Sequence, residues 1–123
     1  MRRRLVLVAA GAILVGGVLV DANPAQGATC PSGVVCVWRD PNFQGPNYHF
    51  VVSDPGFAGQ TYAGGVGNLN NSISSMINHS GTTIFFYQLA NYSGDWDDSY
   101  DPGATVSQVR HDNAYSSLLI PGT

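Results

Sequence analysis

The sequence predicts an all-β fold, an antiparallel sandwich made of two similar halves, and three observations lead there. Beyond residue 28, apolar residues never recur at i, i+3, i+4 and i+7 over three turns, so no long helix is expected. Short β-branched and aromatic runs at 34–38, 48–52, 75–78, 82–88, 105–109 and 117–120 sit between Gly, Pro, Asn, Asp and Ser, the punctuation of strands joined by turns. Finally, the pattern repeats. Trp38 leads to Gly45 and later to Asn70-Asn71-Ser72-Ile73-Ser74-Ser75, while Tyr87 leads to Gly94 and later to Asp112-Asn113-Ala114-Tyr115-Ser116-Ser117. The offset is 49 for the aromatic and the glycine but 42 for the polar motif. The first half therefore carries extra residues, placed in the Gly-rich stretch 54–67, which reads as a surface loop.

The chain opens on Arg2, Arg3 and Arg4, an apolar run over 5–20 and small residues up to Ala28. That run is shorter than the roughly 20 residues of a permanent transmembrane helix and ends as a signal peptidase requires. Residues 1–28 are therefore read as a signal peptide and the product as secreted, against the alternative of a retained anchor; the arginines do not decide the export route. The chain of 123 residues has room for one domain, assigned to 29–123, with its two units at about 34–79 and 82–120. Past residue 28, Arg39 and Arg110 face seven aspartates with no Lys and no Glu, a formal charge of −5. Phosphate binding needs clustered cations, so nucleic acid is excluded as a partner, and an anionic membrane surface is disfavoured after leader cleavage. Cations and basic surfaces are the better partners, and a monomer is expected.

Cys30 and Cys36 come next, around Pro31-Ser32-Gly33-Val34-Val35. An even pair in an exported chain reads as a structural disulfide. The rivals fit less well: redox pairs favour Cys-x-x-Cys, a thiolate metal site needs two more ligands, and a lipid on Cys30 leaves Cys36 without its partner.

The aromatic-x6-Gly hairpin followed by Asn/Asp-Asn/Asp-x-x-Ser/Thr-Ser resembles the βγ-crystallin Greek key, and both copies match at every defined position. The opening Cys30-Pro31-Ser32-Gly33-Val34-Val35-Cys36-Val37-Trp38 is similar to secreted bacterial members of peptidase inhibitor family I36, which share that fold. The resemblance implies a βγ-crystallin-like sandwich of two Greek-key motifs. In it the aromatic packs across the hairpin, the glycine takes a positive φ and the last serine ties the hairpin down.

The same resemblance implies Ca²⁺, a hard cation that takes six to eight oxygen ligands. Carried over by position, the Ser74 hydroxyl and the Ser72 carbonyl serve one site, and the Ser116 hydroxyl and the Ala114 carbonyl serve the other. Asn70, Asn71, Asp112 and Asn113 order the loops or bind through water. Each motif is expected to be completed by the opposite hairpin: Asp112–Ser117 by the one that carries Asp40, and Asn70–Ser75 by the one where Leu89 holds the equivalent place. The bland alternative is that both motifs are only turns.

The acidic stretch 95–101 fails as an EF-hand, since Tyr100 stands where glycine is required and Val106 where a bidentate Glu is required; it reads as a solvated hairpin tip. For catalysis there are His49, His79 and His111, but no Gly-x-Ser-x-Gly elbow and no His-x-x-x-His pair, so the chain is read as a non-enzyme. The expected function is a calcium-binding, secreted inhibitor of a peptidase, presenting a rigid loop, 54–67 or 94–103, to the enzyme cleft. A calcium-stabilised structural or stress protein of the envelope and a secreted antimicrobial toxin on the same fold are the alternatives.

Overall fold

The computed structural model describes residues 30–123; the leader assigned to 1–28 lies outside the described residues. Seven strands follow one another: β1 (Val35–Asp40), β2 (Gln44–Phe50), β3 (Ser75–Asn78), β4 (Ile84–Leu89), β5 (Ser93–Tyr100), β6 (Thr105–Val106) and β7 (Ser117–Leu119), with short 3₁₀ turns at Pro41–Phe43, Phe57–Gly59 and Ala63–Gly65. They form two antiparallel sheets in the orders β2-β1-β3-β6 and β5-β4-β7. β6 from the second half pairs with β3 of the first, Met76 opposite Val106. In return, Asp54 of the first half bridges to Leu118 of β7. Each sheet is thus completed by backbone from the other half.

The repeat is visible in the strand register. β1 and β2 pair from Val35↔Phe50 to Trp38↔Asn47 and slip before Asp40↔Gln44. β4 and β5 pair from Ile84↔Tyr100 to Tyr87↔Asp97 and slip before Leu89↔Ser93. At both slips the hairpin folds over through two consecutive left-handed residues, Asn42 and Phe43 (φ 60° and 60°) and Asn91 and Tyr92 (φ 60° and 56°), a conformation that costs of order 1–3 kcal/mol per non-glycine residue. The offset comes from what the corner gains. Phe43 packs edge-on against Trp38 at 5.3 Å, and Tyr92 against Tyr87 at 5.9 Å. The Ser75 hydroxyl donates to the Asp40 carbonyl (2.7 Å) and accepts the Phe43 N–H (3.0 Å). Ser117 does the same for Leu89 (2.7 Å) and Tyr92 (3.1 Å). The glycine after each corner is required, because Gly45 and Gly94 have φ of +78° and +119°.

Between the sheets lies one core, to which β1 contributes Val35 and Val37 and β4 contributes Ile84 and Phe86. Phe86 stacks on Tyr115 at 4.4 Å. The outward face of β1 is buried too: Cys36 and Trp38 pack with Cys30 and Ile77. Cys30 and Cys36 are joined as a disulfide, 6.0 Å between their Cα atoms, which closes the entry to β1.

Two expectations about this part of the chain are corrected. The acidic stretch is not a hairpin tip. Residues 95–100 belong to β5, with Trp96, Asp98 and Tyr100 turned inward and Asp95, Asp97 and Ser99 outward. Aspartate is depleted in strands, so propensity hid an alternation that tertiary packing enforces. Nor is 54–67 a free loop, because it sends Phe57 and Tyr62 fully into the core.

Candidate functional site

The two polar motifs meet at the end of the sandwich where the halves abut. Asn71 and Asn113, the second residue of each, are left-handed (φ 56° and 58°), a conformation asparagine tolerates better than most residues. Each turn is locked by the other: the Asn71 N–H donates to the Tyr115 carbonyl (2.9 Å) and the Asn113 N–H to the Ile73 carbonyl (3.1 Å). This brings oxygens together across the halves. Ser74 Oγ lies 3.3 Å from Asn113 Oδ1, and Ser116 Oγ lies 3.2 Å from Asn71 Oδ1.

The other motif residues frame these pairs. The Ser72 hydroxyl is committed to the Leu69 carbonyl (2.8 Å) and the Tyr62 hydroxyl (2.7 Å). The Asn70 N–H donates to Asn68 Oδ1 (2.8 Å). Ala114 is half-buried beside Tyr115. Asp112, exposed, accepts from Asn113 Nδ2 at 3.4 Å.

The expected assignment of hairpins is met by the asparagines and not by the serines, because each motif is divided between the two halves. The Ser74 N–H donates to the Trp38 carbonyl on β1, and the Ser116 N–H donates to the Tyr87 carbonyl on β4 (both 2.9 Å). Asp40 at the end of β1 is tied by Ser75 and Leu89 at the end of β4 by Ser117. Each serine therefore stays beside its own hairpin, and the asparagine comes from the opposite motif. Asp112 is linked to the Ser74 side only through its neighbour Asn113, whereas Asn71, which reaches Ser116, is preceded by the neutral Asn70. Among the described residues there is no group of three His, Cys, Asp or Glu side chains able to hold a metal. What the loops offer is hydroxyl, amide and carbonyl oxygen, the donor set of a calcium site.

A second constellation, legible only in three dimensions, lies behind one loop. Asp98, 1% exposed, accepts from Tyr115 Oη at 2.5 Å and from His111 Nδ1 at 2.8 and 2.9 Å. Arg110 approaches it at 3.5 Å. Burial, and then the bond to Asp98, push the Tyr115 phenol far above its ordinary range. His79 Nδ1 instead sits 2.7 Å from the Cys30 carbonyl, and His49 is exposed on β2.

Two interlocked sheets with paired serine and asparagine loops define the βγ-crystallin class, and solved structures agree. A βγ-crystallin from an archaeon is 31% identical over 72% of this chain and 98% of its own, with a TM-score of 0.56. A structure concerned with the evolution of the eye lens βγ-crystallin domain fold is 22% identical over 72% of this chain and 86% of its own, with a TM-score of 0.62. A βγ-crystallin from Ciona intestinalis is 22% identical over 71% and 98%, with a TM-score of 0.57. The chain belongs to peptidase inhibitor family I36, whose family model matches residues 23–99. No curated protein matches it. Among the described residues no helix is long and apolar enough to cross a membrane.

Proposed function

We propose that the chain is an exported calcium-binding domain that inhibits a secreted peptidase. Family membership supports the inhibitory half. The calcium half is carried by one observation, the convergence of a hydroxyl and an amide oxygen across the two motifs at both loops. Ser74, Asn113 and Asp112 would hold one ion, with Ser116 and Asn71 holding the other, and the Ser72 and Ala114 carbonyls would complete the shells. A bound ion would lock the two halves together rather than take part in chemistry.

The contact with the peptidase is assigned to the turn after β2. Val51 and Val52 are 64% and 56% exposed, yet the segment is held on both sides. Phe50 is in the core, Asp54 bridges to Leu118, and the Ser53 N–H donates to Thr123 Oγ1 (2.8 Å) while its hydroxyl accepts the Ile120 N–H (2.7 Å). A preordered apolar knuckle loses little entropy on binding. The stretch 54–67 turns Phe57 and Tyr62 into the core and 94–100 is part of β5, and of the exposed large apolar side chains among the described residues only Val66 falls in either stretch. The test is inhibition of secreted metallopeptidases and serine peptidases by the domain with and without calcium, beside the double variant Val51→Asp/Val52→Asp. The wild type should inhibit at least one enzyme, and the variant should bind it at least about tenfold more weakly, or about 1.4 kcal/mol. No inhibition of either class by the wild type would refute the reading.

A further inference from the structure

The two cation loops are anchored differently, and the difference points to a role for the buried carboxylate. In the first loop the residue two positions before Asn71 is Leu69, fully buried in the core. The matching residue before Asn113 is His111, half-buried and outside that core. What holds it is Asp98. Asp98, opposite Phe86, in turn matches Tyr48, the half-buried residue opposite Val37 in the first half, so the repeat itself calls for no carboxylate here.

The hydrogen bonds around Asp98 run in one direction. Tyr115 gives its one hydrogen to Asp98 Oδ2, so it accepts from Tyr100 (2.8 Å), whose oxygen in turn accepts the Arg110 N–H (3.0 Å). A carboxylate accepts only, so His111 Nδ1 is the donor to Asp98. The imidazole is also stacked flat on Trp96, 3.7 Å between ring centroids and 10° between planes. Replacing buried ion pairs by well-packed apolar residues is often neutral or stabilising, so stability alone gives little reason for a carboxylate at this position. Its partner His111 directly precedes Asp112 and Asn113, and Asn113 is the residue set against Ser74.

We infer that Asp98 and His111 are a positioning pair that fixes the Asp112–Asn113 loop against Ser74, doing with a polar anchor what Leu69 does for the other loop by burial. The inference rests on the calcium reading for its consequence, and on the loop geometry alone for its structural half.

The experiment combines calcium titration by calorimetry with amide hydrogen exchange of the calcium-free protein. Ser74→Ala identifies which binding phase belongs to the Ser74–Asn113 side. His111→Ala should weaken that phase about tenfold or more, the usual effect of losing a group that orients metal ligands, and leave the other phase within about twofold. It should also speed exchange at the Asn113 amide and not at the Asn71 amide. His111→Asn, which keeps an N–H donor near the position of Nδ1, should restore most of both effects. Equal weakening of both phases, or His111→Ala without change at the Asn113 amide, would overturn the proposal. If the wild type takes up no calcium, the calcium reading fails by itself. The exchange result still decides whether His111 anchors the loop.

Discussion

Tyr115→Phe removes one oxygen from the centre of the molecule and leaves the aromatic packing in place, since the ring that stacks on Phe86 at 4.4 Å is retained. That oxygen makes two bonds, one donated to the Asp98 carboxylate at 2.5 Å and one accepted from Tyr100 at 2.8 Å. A hydrogen bond to a charged group contributes about 1.5–3 kcal/mol, and a buried hydroxyl left without its acceptor costs about 1 kcal/mol or more. Asp98 keeps His111 and Arg110, and Tyr100 keeps the Arg110 N–H, so the loss is taken as about 3 kcal/mol. For a domain of this size each kcal/mol moves the melting temperature by about 4–8 °C, which gives a fall of roughly 12–24 °C. Urea and thermal unfolding followed by circular dichroism at pH 7 measure it. Tyr62→Phe is the comparison, since the Tyr62 hydroxyl bonds only the neutral Ser72, and a neutral bond contributes about 1 kcal/mol. A loss below about 1 kcal/mol in Tyr115→Phe, or one equal to that of Tyr62→Phe, would refute the view that Asp98 is held as a charged acceptor.

Four further outcomes are expected. Above about pH 10 the unfolded chain releases phenolic protons that folded Tyr115 and Tyr62, raised by burial, keep. Stability should then fall as pH rises, by about 1.4 kcal/mol per pH unit for each phenol, and alkaline melts of Tyr115→Phe should show the shallower slope. Cys36→Ser opens a loop of sequence separation 6 and should cost about 2–3 kcal/mol by loop closure, read as a lower melting temperature with an unchanged far-ultraviolet spectrum. Gly94→Ala should cost more than Gly45→Ala in denaturant melts: its new Cβ meets Gln88 Cβ at 2.7 Å and the Leu89 nitrogen at 3.3 Å, whereas at Gly45 the obstacle is the movable Asp40 carboxylate at 2.5 Å. In calcium calorimetry at constant ionic strength, Ser74→Ala should remove the tighter phase and Ser116→Ala the weaker, because Asn113, which reaches Ser74, is preceded by the carboxylate Asp112 and Asn71 by the neutral Asn70; extracellular sites usually fall at about 10⁻⁴–10⁻³ M.

The fold was legible because the repeat is written in residues with strict backbone duties. Gly45 and Gly94 mark the hairpin corners, Ser75 and Ser117 tie them, and Cys30 with Cys36 closes the entry. The candidate loops were legible for the same reason, since Asn71 and Asn113 take a conformation few residues accept. Their partnership was not, because a repeat gives what each half contains and not which half a side chain faces. Only the exchange of β6 and the Asp54 segment brings Asn113 to Ser74 and Asn71 to Ser116. Asp98 was hidden differently. In a run of aspartates its neighbours Asp95 and Asp97 point to water, and nothing local distinguishes the one that points in.

The traded strands also bear on how such a chain arose. A single copy of the motif has its fourth strand directed at a sheet it does not own, so its open edge is filled only by the matching strand of another copy. Two free copies would then close on each other about a two-fold axis, the same patch meeting itself, and each asparagine would reach across the axis to the serine of its neighbour. The hydrogen bonds Asn113–Ser74 and Asn71–Ser116 are a pair related in the way the two contacts of such a dimer would be. Once the two copies are fused they are free to diverge, and Leu69 on one side and His111 on the other show where they have.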